Sequence, residues 1–343
     1  MSLSKSSLTD WTRHLQTGQS LPREEIRAAF DRIMQGQESD DDLAAFLAAL
    51  HAKGETAEEI AGAAEAMRTH MTHLPTQRSV VVDTCGTGGT GSDIFNVSTA
   101  AAIVTAAAGV AVAKHGNRSV TSKSGSSDVL AKLGVNVQSP VEVTAHTLAE
   151  LGICFCFAPV FHPAMKHVAA ARKRLGTQTI FNLLGPLCNP AGARYQVMGV
   201  GRPELRERMA GALGQLKTER AVIVGSPGCG ELSLQGPTDV IEVSSRGQQA
   251  TQWHPADFGL APAGFETMKI DGPDASAALI RRIFAGEKGP PRDMVVINAA
   301  AAIWLATPGL SLAEAAHRAE AAIDRGDASR LLDRWAAMTQ ASA

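Results

Sequence analysis

Between residues 21 and 75 the apolar positions recur with the period of an α-helix. Ile26, Phe30 and Ile33 form one stripe. Beyond the break at Gly36, Ser39 is placed to cap a helix that opens Asp40-Asp41-Asp42 and carries the stripe Leu43, Phe46, Leu47 and Leu50. Gly54 stops that helix, and Thr56-Ala57-Glu58-Glu59 forms a capping box for the next, whose stripe is Ile60, Ala64 and Met67. Such stripes need a partner. It is either the rest of the chain or a second copy.

From residue 78 the pattern changes to short β-branched runs that alternate with Ala-rich helices. Strands are expected at 79–82, 110–114, 135–137, 153–157 and 221–224, with further extended segments at 232–234 and 240–243. Helices are expected at 99–108, 127–133, 141–151, 204–216, 276–284, 295–305 and 312–323, so the last part of the chain is mostly helical. This alternation predicts an α/β domain with a largely parallel central sheet. In such a sheet ligands sit beyond the carboxyl ends of the strands.

Composition narrows the function classes. Of 343 residues, 45% are hydrophobic and 19% charged, the balance of a globular chain rather than a disordered one. The net charge of −2 gives no overall field for nucleic acid or an anionic membrane surface. The longest apolar stretch, 100–112, is interrupted by Thr105 and is too short for a bilayer span. Residues 1–20 include Asp10 and lack a continuous apolar core, so no signal peptide is expected. Cys85, Cys154, Cys156, Cys188 and Cys229 are odd in number, which favours reduced thiols and a cytoplasmic location. Cys154 and Cys156 would share one face of a strand; without a second ligand pair they read as buried structural thiols rather than a zinc site.

Two loops carry candidate chemistry. Gly86-Thr87-Gly88-Gly89-Thr90-Gly91-Ser92 follows the first strand and precedes a helix opening Asn96-Val97-Ser98-Thr99. Such a glycine density lets successive N–H groups turn toward an anion, and the helix start adds its positive end, which makes a phosphate or diphosphate cradle. A plain glycine turn is the competing reading. Neither the dinucleotide fingerprint nor a Walker A loop fits, because the next strand ends at Lys114 and no Gly-Lys-Ser/Thr is present. The second loop runs from Lys114 through Ser127 and concentrates Lys114, His115, Arg118 and Lys123 among serines and glycines. It suits a highly phosphorylated ligand. Both loops should leave the sheet at one edge. A third segment joins His162-Pro163-Ala164-Met165-Lys166-His167 to Arg172 and the run Thr179 through Pro190. Apolar walls plus one arginine suit a small aromatic acid.

GTGGTGSDIFNVSTA, KHGNRSVTSKSGSSD, HPAMKH with its following arginine, and TIFNLLGPLCNPA together resemble the anthranilate phosphoribosyltransferases, as do FLAALHAKGETAEEIAGAAEAM and GELSLQGPT. The resemblance implies a two-domain α+β/α/β chain. A small all-helical domain would comprise 1–77 with a returning segment at about 165–185, and a phosphoribosyl-donor-binding α/β domain would comprise 78–164 and 186–343. It implies a homodimer formed through the helices, with 5-phosphoribosyl 1-pyrophosphate and anthranilate as substrates and Mg²⁺ as cofactor. Gly86, Thr87, Gly88, Gly89, Asn96, Ser98, Thr99, Lys114 and Ser126 would bind the donor. Gly86, His115, Asn117, His162, Arg172 and Pro186 would bind anthranilate, and Ser98 and Glu231 would hold the metal. Lys114, His115 and Arg172 would carry the catalysis, with His115 the one candidate proton acceptor.

The chain departs from the family pattern at three places. Thr90 replaces the acidic residue of Gly-Gly-Asp-Gly, Gly230 replaces the Asp that usually precedes Glu231, and Gln178 stands where arginine is frequent. The departures leave open a metal held through water and diphosphate, a weaker metal site, or another aminobenzoate or aromatic amine as acceptor. A nucleoside phosphorylase, which belongs to the same wider group, and a nucleic-acid-binding relative without catalysis are the remaining alternatives.

Overall fold

The computed structural model describes residues 6–88, 93–118 and 124–341. Four helices open it: α1 (Leu8–Gln16), α2 (Arg23–Met34), α3 (Asp40–Lys53) and α4 (Ala57–Thr69). Ser39 caps α3 and Thr56 with Glu59 forms the capping box of α4, as their residue types require. Glu59 does more than cap. Fully buried, its carboxylate accepts from the Leu21 N–H (2.9 Å) and from Lys53 Nζ (2.8 Å), so one side chain ties three segments of the bundle. The helix α1, unforeseen in the sequence, contributes Trp11 and Leu15 to the same core.

The remaining elements follow in order: β1 (Val82–Asp83), α5 (Val97–Ala107), β2 (Val112–Gly116), α6 (Ser126–Lys132), α7 (Val141–Leu151), β3 (Ile153–Phe157), α8 (Ala158–Phe161), α9 (Ala169–Leu175) and α10 (Phe181–Leu184). Then come β4 (Tyr195–Gly199), α11 (Pro203–Gln215), β5 (Arg220–Gly225), β6 (Thr238–Ser244), β7 (Gly247–Trp253), α12 (Pro273–Phe284), α13 (Pro290–Ala306), α14 (Leu312–Asp324) and α15 (Asp327–Gln340). Among the described residues the strands form a seven-stranded sheet in the order β3-β2-β1-β4-β5-β6-β7. The ladders from β3 to β5 are parallel, and β6 and β7 add an antiparallel hairpin at one edge. An α/β architecture with a mostly parallel sheet beside a helical bundle is therefore what the chain adopts.

Several strand expectations are corrected. The first strand is Val82–Asp83, because ladder pairing begins only where Val82 faces Val112 and Tyr195. The segment 135–137 is no strand: Gly134 turns at φ +98°, and the chain closes on itself through Val135 N–H to Leu130 O and Ser139 N–H to Asn136 O. The segment 232–234 is buried but unpaired as a strand, since Asn298 supplies both bonds to the Leu232 backbone. The strands β4 and β7 carry no clear strand pattern in the sequence. β4, flanked by glycine and without a clean alternation, takes the central place between β1 and β5.

Two cores result. One lies between the sheet and α5, α12, α13, α14 and α15, and is rich in alanine, so those helices approach closely. The other joins the N-terminal helices to α11, to Met198 and Ile223 of the sheet, and to the 168–188 segment through Val168, Ala171, Phe181 and Leu184.

Candidate active site

Because β1 and β2 are parallel neighbours, the chain leaves both at the same edge of the sheet. The glycine turn is stitched down there. Thr87 N–H donates to Gly199 O (2.9 Å), and a Cβ on Gly86 would lie 2.5 Å from that same oxygen, so only glycine fits at 86. Gly88 adopts φ +66°, the left-handed region where glycine carries no Cβ penalty. Gly89 and Thr90 lie outside the described residues, as does Lys123.

Asn96 is the N-cap of α5. Its Oδ1 accepts from Thr99 N–H (3.1 Å), while its Nδ2 donates to Ser124 O (2.9 Å). One side chain thus begins the helix after the first loop and holds the second loop beside it. Lys114 makes the same connection. It belongs to strand β2 rather than to a loop, and is 2% exposed. Its Nζ donates to Thr84 O (3.2 Å), Thr84 Oγ1 (3.3 Å) and Ser98 Oγ (3.2 Å). Burial lowers its pKa, while Cys85, Asp83 and Glu231 act in the opposite direction. Asp83, not foreseen as a site residue, is fully buried, and burial raises its pKa to about 6 against the bonds from Asn189 and the nearby Lys114. Its Oδ1 accepts from His115 N–H (3.1 Å) and its Oδ2 from Asn189 Nδ2 (2.8 Å). The signal available in the sequence was an acidic residue at the end of an all-apolar run.

Buried hydroxyls of Thr99, Ser124 and Ser127 have no hydrogen-bond partner among the described residues. Buried polar groups are nearly always paired, so unpaired hydroxyls around the two turns mark a place for a polar ligand. Ser126 opens α6 and donates from Oγ to Asn117 O (3.3 Å), folding the second loop back over Gly116. Asn117 is exposed, its Oδ1 accepting from Arg118 N–H (2.7 Å).

The metal candidates also lie near Lys114. Ser98 Oγ touches its ammonium, and the charge of Glu231 acts on it. Cys229 Sγ lies 3.0 Å from Glu231 Oε2 and donates to it. One hydroxyl and one carboxylate are hard oxygen donors. They fit an ion that keeps several waters and takes its other ligands from substrate phosphates.

On the acceptor side, His115 and His162 are 2% and 5% exposed and their rings pack at 5.0 Å. His115 Nδ1 bonds Gly185 O (2.8 Å), and its Nε2 meets His162 Nε2 at 3.2 Å. Burial, aided by the facing ring, pushes the His115 pKa down to about 3, and burial pushes His162 down to about 4. Both rings are neutral at pH 7. With both nitrogens of His115 engaged, the ring has the geometry of a wall rather than of a proton acceptor. Pro186 is buried beside it and holds Gln196 Nε2 through its carbonyl (2.7 Å). Arg172 in α9 is different in kind. Its guanidinium stands 5.5 Å from the centre of the Phe181 ring, is only partly exposed, and has no ion pair among the described residues. Burial alone lowers its pKa. A cation so placed suits a planar carboxylate.

Comparison with known proteins agrees in extent and in kind. Residues 78–329 match the family model described as glycosyl transferase family, a/b domain, and residues 9–71 match the glycosyl transferase family, helical bundle domain. A curated anthranilate phosphoribosyltransferase of Rhodopirellula baltica is 46% identical over 319 residues, covering 93% of each chain. The crystal structure of the anthranilate phosphoribosyltransferase of Thermus thermophilus superposes with a TM-score of 0.89 at 43% identity, over 96% of this chain and 99% of that one. The Saccharomyces cerevisiae enzyme in complex with PRPP and Mg superposes with a TM-score of 0.90 at 28% identity, over 99% and 100%. The chain therefore belongs to the glycosyl transferase family that joins a helical bundle to an a/b domain, and within it to the anthranilate phosphoribosyltransferases.

Proposed function

We propose that this protein transfers the 5-phosphoribosyl group from 5-phosphoribosyl 1-pyrophosphate to the amine of anthranilate, releasing pyrophosphate, a step of tryptophan biosynthesis. The observation that carries the reading is the double tie between the two turns, Asn96 to Ser124 and Lys114 to Thr84 and Ser98, beside hydroxyls without a partner among the described residues.

The chemistry follows from the residue types. An aromatic amine beside a carboxylate is a weak nucleophile, so the bond from ribose C1 to the diphosphate must be largely broken before the amine bonds to C1. Negative charge then grows on the leaving diphosphate. Lys114 Nζ, already held by Thr84 and Ser98, stabilises it without reorganising. Ser98 and Glu231 would hold Mg²⁺, which would supply further positive charge against the leaving diphosphate. Arg172 takes the acceptor's carboxylate, and the neutral His115, His162 and Pro186 form an apolar slot around its ring. Excluding water there protects a cationic sugar from hydrolysis. With no free nitrogen on His115, orientation and electrostatics carry the rate rather than a general base.

The division of the chain into 1–77 with 165–185, and 78–164 with 186–343, is part of the same reading. It is supported by the packing of Val168, Ala171 and Phe181 on the helical core. Pairing of two copies through the helices belongs to the same reading, and sedimentation checks it. A cytoplasmic location accords with five free cysteines. Among the described residues no helix is long and apolar enough to cross a membrane.

Incubation with donor, Mg²⁺ and anthranilate is expected to consume anthranilate fluorescence; no loss with any of a panel of aminobenzoates would reject the reading. The panel also tests whether Gln178 shifts the preferred acceptor. Gly230→Asp is expected to lower the Mg²⁺ concentration needed for half-maximal rate, and an unchanged titration would remove Glu231 from the metal site.

A further inference from the structure

At the amino ends of β4 and β5, away from the edge that carries both turns, lies a cavity of about 690 Å³ that the proposed reaction does not use. Its floor is the sheet face that packs under α13, with Tyr195 and Arg220 first in their strands and Glu242 on β6. The chain after α13 and the β6–β7 turn form its sides. Tyr195 and Gly199 are the two ends of β4, and Gly199 holds Thr87, so roughly 13 Å of strand separates this cavity from the donor turn. We propose that the cavity binds a free α-amino acid with an apolar side chain, its carboxylate on Arg220 and its ammonium on Glu242.

Strand register places the two charges. Arg220 lies opposite Ser244 and Glu242 opposite Val222, so both side chains leave the same face of the sheet as diagonal neighbours, their Cα atoms roughly 7–8 Å apart. No hydrogen bond or ion pair joins them; only the field of Arg220 reaches Glu242. Arg220 is held in place beforehand. Its guanidinium lies 4.5 Å over the centre of the Trp304 ring and Nη1 donates to Leu305 O (2.9 Å), which leaves the rest of the planar fork without a partner among the described residues. Such a fork takes a carboxylate. Glu242 is half-buried without a hydrogen bond or ion pair among the described residues, and burial raises its pKa against the effect of Arg220. A carboxylate that has lost water without gaining a donor is a place for a cation. Glu219, the other carboxylate of the cavity, is already engaged by Arg194. Opposite charges held apart on one wall match a zwitterion better than an ion of either sign, which would meet a like charge beside its partner. Tyr195, Leu305 and Pro308 supply apolar surface for the side chain. Among the described residues no histidine, cysteine or lysine lines the cavity, so it is a place for binding rather than for reaction.

Calorimetry on the full chain tests this, each protein amino acid being titrated in turn to millimolar concentration. One equivalent of an apolar amino acid, such as leucine, methionine or phenylalanine, is expected to bind. Its amide and its N-acetyl derivative, which keep one charge each, are expected to bind at least about 10-fold more weakly. Glu242→Gln and Arg220→Gln are each expected to weaken binding by about 10- to 100-fold, Glu242→Gln with the melting temperature of the parent. Arg172→Ala is expected to bind as the parent does, which separates this cavity from the acceptor site. Absence of binding by every amino acid overturns the proposal. So does affinity that is kept by the amide, by the N-acetyl derivative or by Glu242→Gln, or that is lost in Arg172→Ala. The proposal does not rest on the assigned reaction, and a failure to find phosphoribosyl transfer would leave these titrations as they are.

Discussion

The two cations of the site are held in opposite ways. Lys114 projects from a central strand, is buried, and has three acceptors on Thr84 and Ser98 before any ligand arrives. Arg172 projects from a short helix, is partly exposed, and leans on the Phe181 ring with no anion among the described residues. A group whose partners are in place contributes preorganised charge to the transition state. A group without them gains its partner from the substrate, and contributes mainly to binding. In the proposed reaction the donor half would thus serve the chemical step and the acceptor half capture.

Substitution of Lys114 should break this contrast most visibly. Lys114→Met is expected to lower kcat by about 100- to 1000-fold, the cost of losing one preorganised donor to a developing anion. Loss confined to KM in steady-state kinetics would place Lys114 in capture instead. Next in size, Arg172→Ala should raise KM for anthranilate by roughly 10- to 100-fold, from a lost charge-assisted bond worth about 1.5–3 kcal/mol. Its melting temperature should fall only slightly, since the loss among the described residues is the contact with the Phe181 ring. Equal effects of both variants on donor and acceptor would erase the distinction.

Backbone packing gives a smaller effect. A Cβ on Gly86 would meet Gly199 O, and one on Gly199 would overlap the Gly230 carbonyl, so neither can be relieved by rotating a side chain. Gly86→Ala is expected to destabilise the fold by about 1–3 kcal/mol in urea titration and to weaken donor use before acceptor use. A neutral result would show the turn to be looser than its contacts.

Stability against pH is the finest test. His115 and His162 titrate near 3 and 4 in the folded chain against an ordinary value of 6.5, so the unfolded chain binds more protons between those values. Their contribution is complete above 6.5 and is lost as pH falls through about 4 for His162 and about 3 for His115. Asp83, raised from 3.8 to about 6, works the other way, its contribution being lost as pH rises through 6. Two histidines outweigh one carboxyl, so stability should rise with pH across the acidic range. His162→Gln should flatten that slope in denaturant midpoints; an unchanged slope would mean the rings are protonated when folded.

Much of this arrangement is legible in the sequence because it depends on local chemistry. The caps Ser39 and Thr56, the glycine turn and the strand Ile153–Phe157 declare themselves through residue type and period. What is not legible depends on distant partners. Strand β4 is central only because β1 and β5 flank it, and Leu232 is unpaired in the sheet only because Asn298 reaches it. The engagement of both His115 nitrogens likewise requires Gly185 and His162, far along the chain. Asp83 and Asn189 escape for the same reason, since each takes its meaning from the other.

Asn189 is where the stretch that begins at His162 returns to the sheet. Its amide donates to Asp83 Oδ2 (2.8 Å) and to Ala113 O (2.7 Å), and its own oxygen accepts from Ala191 N–H (2.9 Å). The proposed acceptor residues His162, Arg172 and Pro186 are thereby strung between two fixed posts, as an exchangeable cassette is seated in a frame. A different wall could be grafted between those posts while the ties of Asn96 and Lys114 stayed as they are.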